Sequence, residues 1–199
     1  MISIEDTMKN LRARGFDTRF FRSGGEAAGY LETQLQDERI GFGGSMTLEA
    51  LGLYERLGRR NSVFWHWRND HADAREQAVA AEVYITSANA LAQTGEIVNI
   101  DGSGNRVSGT LFGKKKVYII VGTNKIAEDY DKALWRARNI ASPLNARRLN
   151  KNTPCSKGEL KCHDCKSADR ICRALVVLWN KMSGMEKVEV VIIDETLGC

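Results

Sequence analysis

The sequence predicts an α/β domain: a mostly parallel sheet flanked by helices, followed by a C-terminal cysteine-rich loop. Three observations carry this reading. Segments with apolar residues at helical spacing keep falling between short strand-like runs, an alternation that builds parallel sheets through crossover helices. Apolar runs such as Val117–Val121 and Val188–Ile193 have the length of strands. Four of the five cysteines lie between Cys155 and Cys172, beyond the α/β pattern.

The elements follow in order. Residues 3–14 form an amphipathic helix, with Ile4, Met8 and Leu11 on one face, Ser3 as N-cap and Gly15 as C-cap. Asp17–Phe21 is a strand. Gly24–Gln36 is a helix that turns Ala27, Ala28, Leu31 and Leu35 inward. Arg39–Gly43 is a strand that runs into Gly44-Ser-Met-Thr47 and then a helix over Leu48–Leu57. A glycine-rich turn with hydroxyls before a helix is an anion-binding geometry, in which Gly43, Gly44, Ser45 and Thr47 present N–H and O–H groups; capping by Ser45 or Thr47 is the simpler alternative. It is neither a dinucleotide fingerprint nor a Walker loop.

Asn61–Trp67 is the next strand, in which His66 is a half-buried packing residue. A helix over Asp70–Ala81 places His71 in its first turn on a solvated face. Glu82–Thr86, Ile97–Ile100 and Val117–Val121 are strands, and the segment from Ile97 to Val121 reads as an inserted hairpin. Lys125–Asn139 is a helix with Ile126, Ala127, Tyr130, Ala133, Leu134 and Ala137 on one face and Arg136 and Arg138 near its end. The organisation expected is an α/β core over residues 1–150, a cysteine loop over 151–175, and a helix and strand over 176–199 that return to the same domain.

Composition is that of a globular chain: 199 residues, 43% hydrophobic and 27% charged, with two prolines and a net charge of +4. The charge excess reads as a solvated surface, with no single-sign tract to form a nucleic-acid arm. The apolar runs are too short to cross a bilayer. The first residues lack the basic and apolar regions of a secretory signal, so the expected compartment is the cytoplasm.

Ser87–Lys125 is dense in side chains that bind or react: Asn89, Thr94, Glu96, Asn99, Asp101, Asn105, Arg106, Asn124 and Lys125, spaced by glycines. Polar groups on short turns between strands are how α/β domains line a pocket. Glu96 and Asp101 are the candidate general base or nucleophile, and Arg106 and Lys125 the candidate positive charges. The bland alternatives are that Asp101 caps its own turn and Glu96 is a solvated strand-edge residue.

The cysteines follow C-x6-C-x2-C-x6-C through Cys155, Cys162, Cys165 and Cys172. Four thiolates in one loop suit a [4Fe–4S] cluster or tetrahedral zinc. Zinc sites more often show two paired C-x-x-C knuckles, which favours the cluster; free thiols are the remaining alternative, and His163 is a lesser substitute ligand. Cys199 reads as a free thiol on a mobile tail.

Gly41-Phe-Gly-Gly-Ser-Met-Thr-Leu-Glu49, Thr86-Ser-Ala-Asn-Ala90, Val98-Asn-Ile-Asp-Gly102, Gly104-Asn-Arg-Val107, Val121-Gly-Thr-Asn-Lys125 and Ala141-Ser-Pro-Leu-Asn-Ala146, in this order, resemble the lactate-utilisation (LUD) domain family. The Thr153-Pro-Cys segment and its cysteines are similar to the short stand-alone members. The resemblance implies a fold like that of ribose-5-phosphate isomerase and the coenzyme A transferases, with a phosphate- or carboxylate-binding pocket at the strand ends. Some members are subunits of an iron–sulfur system that oxidises lactate to pyruvate. One departure is Phe112-Gly-Lys-Lys-Lys116, where the family commonly has Gly-Pro before its lysines.

Two functions of different class follow. One is an enzyme or redox enzyme subunit that acts on a small anionic metabolite such as a 2-hydroxy acid. The other is a non-catalytic electron-transfer or regulatory partner that docks on a flavin or iron–sulfur subunit. A zinc-stabilised nucleic-acid binder is the weakest reading, because aromatic residues do not interleave with the basic residues around the cysteines.

Overall fold

The computed structural model describes residues 2–68 and 72–199. Among them, six parallel strands form the main sheet, in the order β1-β10-β7-β4-β2-β3. These are β1 (Asp17–Phe21), β2 (Arg39–Phe42), β3 (Ser62–Phe64), β4 (Val83–Thr86), β7 (Lys116–Gly122) and β10 (Lys187–Ile193). A smaller mixed sheet has the order β8-β5-β6-β9, with β5 (Ala90–Ala92), β6 (Ile97–Asp101), β8 (Ile126–Ala127) and β9 (Ala174–Leu178).

The layers follow from which faces are apolar. Helix α2 (Gly24–Gln34) and the short helices α3 (Met46–Ala50) and α4 (Leu53–Leu57) cover one face of the main sheet; Leu31, Leu48 and Leu57 meet Ile40, Ile85, Ile120 and Val191 there. The other face packs against the small sheet and helix α1 (Ile4–Ala13), joining Leu11 and Ile119 to Leu91, Ile97 and Leu178. The far side of the small sheet is closed by alanines, Ala90 and Ala92 against Ala133 and Ala137. Each fully buried leucine contributes about 1.5–3 kcal/mol relative to exposure.

The first helix was well marked at both ends. Ser3 accepts from the Asp6 N–H at 3.1 Å, and Gly15 turns the chain at φ +81°. Several predicted elements change, each for a local reason. The helix over Leu48–Leu57 breaks into α3 and α4, because Gly52 adopts φ +58° between them. The strand over Asn61–Trp67 shortens to β3. Helix α5 is Ala74–Ala80; its predicted first residues Asp70 and His71 lie outside the described residues.

The predicted hairpin between Ile97 and Val121 is absent. Strands β6 and β7 lie in different sheets, and helix α6 (Asn105–Leu111) stands between them. Helical and strand-like apolar pairs look alike over so short a span, so periodicity did not separate them. The predicted helix start at Lys125 is also wrong. Ile126 and Ala127 pair with Leu91 and Ala92 as β8, and helix α7 (Tyr130–Arg136) begins at Asp129, whose side chain accepts from the Lys132 N–H at 2.8 Å. A π-helical stretch over Ala137–Ala141 joins α7 to helix α8 (Ser142–Arg148). The helix expected after residue 176 is instead β9, an antiparallel edge strand on β6.

Candidate functional site: two cavities with a common wall

The carboxyl ends of β2, β4 and β7 release the chain on one side of the main sheet, where open α/β sheets bind ligands. A cavity of about 240 Å³ lies there. Arg106 crosses its floor. One guanidinium nitrogen donates to Asn99 Oδ1 (2.5 Å) and the Ser87 carbonyl (3.2 Å); the other donates to Asn89 Oδ1 (3.0 Å) and the Ile100 carbonyl (2.7 Å). Its Nε lies 3.3 Å from Asp101 Oδ2. Every donor of this side chain is therefore engaged within the protein. Burial pulls the Arg106 pKa down, and Asp101 opposes that shift.

Asp101 does two structural things at once. While Oδ2 faces Arg106, Oδ1 accepts from the N–H groups of Ser103 (3.0 Å) and Gly104 (2.7 Å), which turns the chain from β6 into α6. The Oδ1 atoms of Asn89 and Asn99 accept within the same network. Asn124 accepts from the Leu197 N–H at 3.1 Å and so anchors the C-terminal segment. Asn105 lines the cavity, and its carbonyl accepts from the Tyr84 hydroxyl at 3.1 Å.

The glycine turn has a packing role. A Cβ on Gly43 would come within 2.6 Å of Thr86 Oγ1, and one on Gly44 within 3.0 Å of the Trp67 ring. Ser45 accepts from the Leu48 N–H at 3.4 Å, capping a helix of only five residues. Thr47 is fully buried and donates to the Leu197 carbonyl at 3.2 Å.

Lys125 is the unusual group. It is 4% exposed, on the cavity wall. Its Nζ donates to Thr47 Oγ1 (2.8 Å), Ser87 Oγ (3.0 Å) and the Ala88 carbonyl (3.2 Å). Among the described residues no carboxylate pairs with it. Burial first, and then the positive charges of Arg136 and Arg106, push its pKa down to about 7; the Cys199 thiol opposes that shift. Arg136 is held by the carbonyls of Asn124 and Asn89.

Glu96 is not in the cavity. It pairs with Arg14 and accepts from the Thr94 hydroxyl, tying the β5–β6 turn to α1. The lysines of Lys114–Lys116 face elsewhere too: Lys114 caps the carbonyls of Ala78 and Ala81, Lys115 pairs with Glu82, and Lys116 pairs with Glu38.

Sequence reading missed several lining residues. His66, half-buried beside Trp67, lines the cavity, and burial lowers its pKa. Ala141, Asn145 and Arg148 come from one face of the helical run after residue 130. Cys199 also lines the cavity, within a segment held by Asn124 and Thr47, where a mobile tail was expected. The motif Ala141–Ala146 and the helical spacing of 141, 145 and 148 were the signals available in advance.

A second cavity, of about 360 Å³, is lined by Cys155, Cys162, Cys165 and Cys172 together. Cys162 Sγ accepts from the Asp164 N–H (3.4 Å) and from Arg138 Nη2 (3.6 Å), and Cys155 Sγ lies 3.3 Å from the Thr153 hydroxyl. Arg170 donates to the carbonyls of Cys165 (2.7 Å) and Cys172 (3.0 Å). His163 Nε2 faces the Glu159 carbonyl at 3.3 Å. Among the described residues, no three His, Cys, Asp or Glu side chains converge on a position for one metal ion. The thiols ring a space instead.

The two cavities touch. Ile100, Ser142 and Ile171 line both of them. Residues 134, 138, 142 and 146 of the helical run face the cysteine cavity, while 141, 145 and 148 face the polar one. Gly102 permits the close approach at this wall, since a Cβ there would lie 2.7 Å from the Ile171 carbonyl oxygen.

The fold and cavities define an α/β domain that opens a polar pocket at its strand ends, with a cysteine-lined chamber behind it. The model of the LUD domain matches residues 4–193, and the chain belongs to that family, which is associated with lactate utilisation. A solved structure of a DUF162 family protein from Deinococcus radiodurans is similar in fold, with a TM-score of 0.58 at 13% identity, over 96% of this chain and 95% of that one. No curated protein matches the sequence. Among the described residues no helix is long and apolar enough to cross a membrane.

Proposed function

We propose that this chain binds a small anionic metabolite in the polar cavity and takes part in the oxidation of lactate or a related 2-hydroxy acid. The observation that carries the reading is the wall shared by the polar cavity and the cysteine-lined one. Cavities that hold drug-sized ligands run to roughly 300–1,000 Å³. At about 240 Å³, the polar cavity suits a short acid better than an enclosed coenzyme A. Arg148 on its wall supplies positive charge, and Lys125 supplies N–H donors.

Cys155, Cys162, Cys165 and Cys172 would hold a [4Fe–4S] cluster. The donor chemistry fits: four thiols around one space, with N–H donors on the Cys162 sulfur of the kind that tune cluster potentials. When bound, such a cluster supplies a one-electron acceptor or donor. The protein's own part is to hold the acid against Lys125, to keep Asp101 and Arg106 as a rigid neutral floor, and to interpose only Ile100, Ser142 and Ile171 between the chambers.

Anaerobic purification with iron and sulfide analysis and a visible spectrum tests the cluster. About four irons per chain and a band that bleaches on reduction are expected. One zinc per chain without colour overturns the redox reading. Thermal shifts with lactate and pyruvate test the pocket. The absence of a shift with either counts against it.

A further inference from the structure

Lys125 is placed for more than charge. Its amine lies on the cavity wall with two hydroxyls and one carbonyl as neighbours, and no carboxylate among the described residues holds its proton. Among the described residues, the groups that act on its charge besides burial are the cations Arg136 behind and Arg106 on the floor, which the Cys199 thiol opposes. A neutral amine satisfies this setting. It donates to the Ala88 carbonyl and to one hydroxyl, while the other hydroxyl donates to its lone pair; that hydroxyl frees the lone pair for attack when it turns to a bound acid. Amines are activated as nucleophiles by desolvation and by nearby cations.

We propose that Lys125 forms an imine with the carbonyl carbon of a short 2-oxo acid bound in the polar cavity. The inference rests on the metabolite-binding reading of this cavity and is independent of the cluster. The Nζ lone pair attacks the carbonyl carbon, and the carbonyl π electrons pass to its oxygen. That oxygen gains the proton that leaves nitrogen, giving a carbinolamine. Loss of the second N–H proton and of the hydroxyl group as water then leaves the C=N bond. Amine and oxo acid become imine and water, with no net oxidation. Thr47 Oγ1 and Ser87 Oγ, 2.8 and 3.0 Å from Nζ, relay the protons. Arg148, whose guanidinium also donates to Asn145 Oδ1 at 2.8 Å, stands at the cavity edge to meet the carboxylate. A pKa of about 7 keeps much of this amine neutral near neutrality.

The test is reductive trapping. The full chain is incubated at pH 7.5 with pyruvate and cyanoborohydride, and the label is located by peptide mass mapping. One reduced adduct per chain on Lys125 is expected, with roughly six hundredfold more label there than on an ordinary lysine, from the neutral fractions of the two amines at pH 7.5. Excess lactate, which lacks the carbonyl, should suppress it, and K125R should not label. A thermal shift with pyruvate but no Lys125 adduct, or label spread over surface lysines, overturns the imine while the cavity reading stands. Neither shift nor adduct overturns both.

Discussion

The two cavities share a wall but are built in opposite ways. The polar one sits on strand ends. Its floor is a closed set of hydrogen bonds among Arg106, Asp101, Asn89 and Asn99, so its shape is fixed before anything binds. The cysteine cavity sits on an irregular segment whose only helix, α9, is Pro154–Lys157. Its thiols are partly exposed, and arginine contacts to backbone carbonyls hold them in place. A site made by the sheet owes its order to the core. A site made by a loop owes its order to a few side-chain contacts, here those of Arg170 to the Cys165 and Cys172 carbonyls.

The largest effect expected is on the loop. Replacing Cys162 and Cys165 by serine should abolish bound iron and make residues 151–173 readily cleaved by protease, while the core's unfolding changes little. Equal protection of loop and core in the metal-free protein would erase the contrast. Next is R106A, which takes the guanidinium away from the buried Asp101 Oδ2 and Asn99 Oδ1. A loss of about 3–5 kcal/mol in denaturant unfolding is expected, the cost of breaking a buried charge pair.

Lys125 sharpens the polar side through pH. Its folded pKa lies below its unfolded one, so the unfolded chain binds the extra proton between the two values. Stability should therefore rise as pH increases from about 7 towards 10, and this rise should be missing in K125M. His66, also lowered by burial, costs stability as pH falls below the ordinary histidine range, an effect that H66Q should remove. Smallest is E96Q. With the Arg14 and Glu96 side chains 27% and 13% exposed and remote from both cavities, it should cost no more than about 1 kcal/mol and leave pyruvate binding unchanged.

The resemblance and the cysteine spacing were legible in the residues, and so was the alternation that makes the main sheet. Helix α1, strand β1 and the inward face of α2 came directly from capping residues and apolar spacing, which are local properties. The candidate site was legible as a list of polar side chains, not as roles. Glu96 and Asp101 look equivalent along the chain. Only the way β6 pairs with β5 sends one to Arg14 and the other to Arg106.

Sequence by itself determined which residues carry chemistry and where most elements begin, because side-chain type and near-neighbour spacing settle caps, turns and apolar faces. Tertiary structure alone decided that Cys199 and His66 join the pocket, that Arg106 is spent on the floor, and that Lys125 is paired with no carboxylate among the described residues. It also decided that the cysteines stand one residue layer behind the polar cavity. Those are long-range placements, set by which strands pair and how tightly glycines let the layers approach, and local patterns do not encode them.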